Sequence, residues 1–154
     1  MNHGPVLSFA WRRWEELDTD ELYGLLRLRQ EVFVVEQACA YQDLDGLDSS
    51  SLHLLATVGE ALAGYIRLLP PGLQYQELPA IGRVVTSPAF RGQGLGRPLM
   101  EEGWLRSQVL WGPTPVKLGA QSYLQDFYNS LGYRVCGPGY DEDGIPHLPM
   151  LKEP

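Results

Sequence analysis

The sequence predicts a single α/β (α+β) domain built on a mixed, mostly antiparallel sheet flanked by helices. Three observations carry this reading. The chain has 154 residues, the length of one domain with one core. Short apolar runs rich in β-branched residues alternate with longer runs of helical periodicity. Some neighbouring strands are joined directly and others through a helix, so a meander and strand–helix–strand units share one sheet.

In chain order, VLSFAWRRW (6–14) reads as a first strand. DTDELYGLLRLRQEVFVVEQ (18–37) reads as one helix. Asp18 or Thr19 caps it, acidic residues fill its first turn, and Leu22, Leu25, Leu26, Arg29 and Phe33 recur at helical spacing. ACAYQDLDGLDSSS (38–51) is polar and longer than most connections, as functional loops often are. LHLLATV (52–58) and ALAGYIRLL (61–69) flank Gly59-Glu60 and form a hairpin. After a loop over 70–79, AIGRVVTS (80–87) is a strand. Then follow helix GLGRPLMEEGWLRSQVL (94–110), strand PVKLGAQ (115–121), helix SYLQDFYNSLG (122–132), strand YRVCGPG (133–139) and a last strand around HLPML (147–151). No repeat or linker divides the chain, so 1–154 is one domain.

Composition narrows the function classes. A formal charge of −7 speaks against a nucleic-acid partner and suits a cationic one. No apolar run reaches the ~20 residues of a membrane span, and the N-terminus lacks a basic segment followed by an apolar one, so no membrane association or secretion is expected. Cys39 and Cys136 have neither CxxC nor zinc spacing; they could be bridged, a reduced cytoplasmic pair fits better, and either reading is structural rather than catalytic. His3, His53 and His147 are scattered, so no metal site is expected. His53, inside an apolar run, reads as a satisfied core histidine.

The chemistry concentrates at RGQGLG, Arg91 to Gly96, where a strand turns into a helix. A Walker loop would need a Lys-Ser/Thr that does not follow, and the dinucleotide fingerprint fails because its third glycine falls on Arg97. A different phosphate cradle remains. The first amides of a helix lack intrahelical partners and sit at the positive end of its dipole. Glycines let an anion approach that backbone, and Arg91 and Arg97 add full charges.

The pattern R/Q-x-x-G-x-G/A between strand and helix, here Arg91, Gly94 and Gly96, resembles the signature of the GNAT superfamily of N-acetyltransferases. LLRLRQEVFVVEQ, YQDLDGLD, HLLA, IGRVVTSP, LGAQSYLQDFY and EDGIPH extend the likeness over nearly the whole chain, toward the small bacterial ElaA-like group. The resemblance implies acetyl transfer from acetyl-CoA, as co-substrate, to a primary amine by direct attack in a ternary complex. It places the pyrophosphate on the turn formed by Arg91, Gly92, Gln93, Gly94, Leu95, Gly96 and Arg97. It lays the pantetheine arm along Val84, Val85 and Thr86, where a bulge opens a V-shaped slot and the Val85 amide faces the thioester oxygen. Pro98 in the opening turn suggests that the helix starts a residue or two later than drawn.

Tyr128, in the FY context that the family often uses, is the expected acid for the leaving thiolate; without the family it reads as a half-buried packing aromatic. Gln121 either holds a CoA amide or caps the next helix. The base for the acceptor ammonium is left among Glu36, Asp43, Asp45 and His147. Direct transfer needs no cysteine nucleophile, which ranks Cys39 low. The acceptor is a small-molecule or peptide amine. A non-catalytic acyl-CoA sensor of the same fold is the competing reading, and edge strands leave a homodimer open.

Overall fold

The computed structural model describes residues 6–154; residues 1–5, His3 among them, lie outside it. Eight strands form one sheet: β1 (Ser8–Arg13), β2 (Leu52–Val58), β3 (Ala61–Leu69), β4 (Ala80–Thr86), β5 (Val116–Gln121), β6 (Arg134–Val135), β7 (Tyr140–Glu142) and β8 (Ile145–Lys152). Their order is β1-β2-β3-β4-β5-β8-β6, with β7 also on β8. Every pairing is antiparallel except β4 with β5. The helices are α1 (Thr19–Arg29), α2 (Gly96–Trp111) and α3 (Gln125–Ser130).

Alternation along the strands divides the interior into two layers. Leu54, Ala56, Ile66, Leu68 and Ile81 face α2 and α3, against Leu99, Met100 and Tyr128. Leu55, Tyr65 and Val85 face α1, against Leu25, Leu28 and Val32. Helix α2 lies very close to the sheet because Gly103 has no side chain. A Cβ there would stand 2.5 Å from Ile66 Cδ1. The N-terminus of α1 is a full capping box, with Asp18 Oδ1 accepting from Glu21 N and Glu21 Oε1 accepting from Asp18 N.

Several boundaries differ from the sequence reading. The first helix stops being α-helical at Arg29 and continues as a π-helical segment, Gln30–Glu36. The helix drawn over 122–132 splits into a 3-10 turn, Ser122–Leu124, and α3. The strand drawn over 133–139 shrinks to β6, and an unforeseen strand, β7, precedes the last one. Gly137, Pro138 and Gly139 end the former. The latter exists because Asp143 (φ 53°) and Gly144 (φ 82°) make a two-residue turn with both residues left-handed, pairing Glu142 with Ile145. The Gly59 turn takes its expected place, with φ 61°.

Candidate active site

The glycine turn leads into α2. Gly92 (φ 79°) and Gly94 (φ 71°) occupy the left-handed region, which a side chain would strain. Gly96 is needed for a different reason: a Cβ there would lie 3.2 Å from Phe127 Cζ on α3. The helix starts at Gly96, two residues later than the sequence suggested, so Pro98 is its third residue and no intrahelical donor is lost. Leu99 N is bonded to Leu95 O at 3.2 Å, which leaves the Gly96 and Arg97 amides ahead of it without i−4 partners. A groove of about 500 Å³ opens over this turn, bounded by Val84, Val85 and Thr86 of β4 and by Phe127 and Tyr128 of α3. Arg91, Gly92, Gly94, Leu95 and Gly96 line it; the exposed Gln93 and Arg97 do not.

Beside the groove, β4 is bulged. Tyr65 opposes Val85 and Arg67 opposes Gly82, so Arg83 and Val84 together face the single residue Ile66. Arg83 takes φ 51°, unusual for a residue with a side chain. The extra residue reverses the pleat: Ile81 and Val84 face α2, and Val85 faces α1. Beyond the bulge the sheet splits. Strands β4 and β5 pair at Ala80 and Lys117 alone, then part. The slot that results joins the groove to a second cavity of about 460 Å³ on the other side. Val84, Tyr123, Leu124 and Tyr128 line both spaces. Val85 lines the groove only.

Tyr128 is 6% exposed, and burial pushes its phenol up to about 12, so it is a protonated O–H donor at neutral pH. Gln121 lines the second cavity and not the groove; its amide donates to Gln37 Oε1 at 3.4 Å and caps no helix.

The four base candidates occupy different settings. Glu36, at the end of the π-helical segment, borders the groove rather than the second cavity. Both its oxygens accept from Arg91 at 2.6 Å, and that guanidinium holds its carboxyl below the usual range. Asp43 accepts from Arg29 Nε at 2.8 Å and stands 2.8 Å from Arg83 Nε. Asp45 lines the second cavity and accepts from both Arg67 Nη atoms at 2.8 and 2.7 Å. Burial raises its pKa, but the bonds from Arg67 and the Leu47 amide outweigh that and hold it at about 2. His147 lines the same cavity, stacked on Tyr140 with ring centroids 5.6 Å apart. Its Nδ1 is 2.7 Å from the Ile145 carbonyl oxygen and its Nε2 is 3.3 Å from Glu142 Oε2.

His53 is fully buried, with Nδ1 2.6 Å from Tyr65 Oη and Nε2 2.9 Å from the Asp48 carbonyl oxygen. Cys39 is a free thiol whose Sγ donates to the Asp143 carbonyl at 3.0 Å. No group of three or more metal-ligand side chains occurs among the described residues. None of the described helices is long and apolar enough to cross a membrane.

Sequence reasoning missed the device that walls the second cavity. Arg29 of α1, Arg67 of β3 and Arg83 of β4 converge on Asp43, Asp45 and Asp48 of the long loop. Arg29 and Arg67 are at most 2% exposed, and Asp48 bridges them at 2.7 and 3.0 Å. Three positive and three negative charges balance, which is how buried charges are tolerated. The Arg83 contacts also tie its left-handed backbone to the loop. The available signal was an arginine inside the apolar strand run ALAGYIRLL and another on the apolar stripe of α1.

Comparison with known proteins bears on this geometry. A family model described as "Acetyltransferase (GNAT) domain" matches residues 17–154. Protein ElaA of Escherichia coli strain K12 is 43% identical over 140 residues, covering 90% of this chain and 91% of ElaA. The crystal structure of an acyl-CoA N-acyltransferase from Pseudomonas aeruginosa superposes with a TM-score of 0.90 at 45% identity, covering 96% of this chain and 99% of that one. At 15% identity and a TM-score of 0.65, the fold is also shared with a GNAT family acetyltransferase from Elizabethkingia anophelis crystallised with acetyl-CoA bound. That match covers 96% of this chain and 97% of the other.

Proposed function

The chain belongs to the GNAT acetyltransferase family, and we propose that within it this protein is an acetyl-CoA-dependent N-acetyltransferase. It transfers the acetyl group to a primary amine, of a small molecule or a peptide, by direct attack in a ternary complex. One observation carries this reading. Two cavities, one over a glycine turn and one walled by tyrosines and carboxylates, meet where β4 and β5 part, and Tyr128 lines both.

The groove suits acetyl-CoA. The left-handed Gly92 and Gly94 and the partnerless amides of Gly96 and Arg97 make an anion cradle of backbone. Arg91 borders it and can exchange Glu36 for a phosphate oxygen. Below the bulge, Val84, Val85 and Thr86 present a strand edge that β5 does not pair, suited to an extended amide-bearing arm. When bound, acetyl-CoA supplies the activated acyl thioester. The Val85 amide is the proposed donor to its carbonyl oxygen, and Tyr128 the proposed acid that protonates the leaving sulfur. Both cysteines are free, which suits a reducing compartment, and the cytoplasm is the proposed setting.

Calorimetric titration with acetyl-CoA, with ATP and NAD as controls, tests the groove. Colorimetric release of free thiol in the presence of a panel of amines tests the transfer. Selective acetyl-CoA binding with amine-dependent thiol release is the expected result. Binding without release from any amine would favour a sensor, and no binding by folded protein would overturn the reading.

A further inference from the structure

Of the four side chains considered as the base, Glu36, Asp43, Asp45 and His147, three are held by arginines. Glu36 has both oxygens on Arg91, Asp43 is held by Arg29 and Arg83, and Asp45 is held by Arg67. His147 is bound to no cation. Resting on the transfer reaction proposed above, we propose that His147 is the general base for the acceptor amine and that Glu142 holds the acceptor's ammonium beside it.

The geometry fits that work. The Ile145 carbonyl, 2.7 Å from Nδ1, can only accept, so Nδ1 is the donor there and Nε2 is the ring atom left to exchange a proton. The Nε2 atom lies 3.3 Å from Glu142 Oε2, so a cation placed between them meets a carboxylate and a base together. Stacking on Tyr140 fixes the ring plane. Tyr140 is fixed in turn by Gly119 of β5, whose missing side chain leaves the room that the Tyr140 hydroxyl occupies. The other charges on this cavity are Asp143 from the β7–β8 turn, and Asp45, Arg67 and Arg83 from the balanced network. Burial raises the phenols of Tyr41, Tyr75, Tyr128 and Tyr140 there, so they add no charge at pH 7. The surplus facing the acceptor is therefore negative, from Glu142 and Asp143. The ligand class this selects is a cationic primary amine.

The proton balance closes. An acceptor R–NH₃⁺ gives one proton to His147 Nε2, and Glu142 stabilises the imidazolium that forms. The freed nitrogen lone pair attacks the thioester carbon, the C–N bond forms and the C–S bond breaks. The Tyr128 hydroxyl protonates the departing sulfur, and the second proton lost from nitrogen returns to the Tyr128 oxygen. His147 releases its proton to solvent. The products are R–NH–acetyl, free CoA thiol and one proton.

Steady-state thiol release, measured across pH with the best amine of the panel, tests this on the full chain. His147→Gln should lower kcat 10²–10⁴-fold and abolish the acidic limb of the kcat/KM profile. Its acetyl-CoA affinity, measured by calorimetry, should stay within about twofold of wild type. Glu142→Gln should raise the acceptor KM and move the acidic limb to lower pH, because removing a neighbouring anion disfavours the imidazolium. His147→Asn, smaller and uncharged, serves if His147→Gln fails to fold. A histidine variant that keeps the acidic limb and loses less than about threefold in kcat overturns the assignment while the transfer reading stands. Wild-type protein that binds acetyl-CoA yet acetylates no amine overturns both.

Discussion

Replacing Asp48 by Asn should destabilise the protein by about 3 kcal/mol. Asp48 is 7% exposed and accepts from Arg29 and Arg67, both buried. Removing one partner from a buried charge pair costs roughly 3–5 kcal/mol, because the other charge is left uncompensated. Each arginine keeps a second carboxylate here, Asp43 for Arg29 and Asp45 for Arg67, so the low end of that range applies. In a chain of 154 residues about 3 kcal/mol lowers Tm by roughly 6–12 °C. Urea unfolding at pH 7 measures it, with Glu15→Gln, on an exposed pair, as the control expected to move by at most ~0.5 kcal/mol. Asp45, Arg67 and Arg83 of the network line the second cavity, so the KM of the proposed acceptor should rise as well. A cost below about 1 kcal/mol for Asp48→Asn would refute the view that buried charges anchor the loop.

Three further outcomes are expected. Tyr128→Phe should lower kcat by about 10²-fold or more while leaving acetyl-CoA affinity within about twofold, since only a hydroxyl is removed; initial rates and calorimetry separate the two. Gly94→Ala forces a β-carbon into a left-handed backbone and should cost ~1 kcal/mol of stability and weaken acetyl-CoA binding at least tenfold, read by urea unfolding and calorimetry. Asp45, held at about 2 in the folded state, contributes stability that is fully present above the ordinary aspartate range near ~4 and is lost as pH falls toward 2. Asp45→Asn should therefore flatten the acid side of a stability-against-pH curve between those values.

Local signals in the sequence place local backbone features. The Gly59 hairpin, the capped start of α1 and the glycine turn each depend on a few adjacent residues. The core role of His53 followed from its place in an apolar strand. What escaped depends on distant partners. The π-helical segment Gln30–Glu36 continues the run of α1, and residue spacing alone does not mark the change of geometry. The loop over 38–51 reads only as polar, because its aspartates are countable in the sequence and their partners are not. Those partners lie as far as 40 residues away, as in Arg83 with the Asp43 carbonyl. Strand β7 has no local signal, because Tyr140, Asp141 and Glu142 have no apolar alternation and gain strand structure only by pairing with β8.

The proposed reaction has two substrates meeting across the slot between β4 and β5. Initial rates of thiol release, measured with acetyl-CoA and an accepted amine varied against each other, test it most directly. Direct attack in a ternary complex predicts double-reciprocal lines that intersect. Parallel lines would mean that the acetyl group first passes to the protein, and would rule out direct attack.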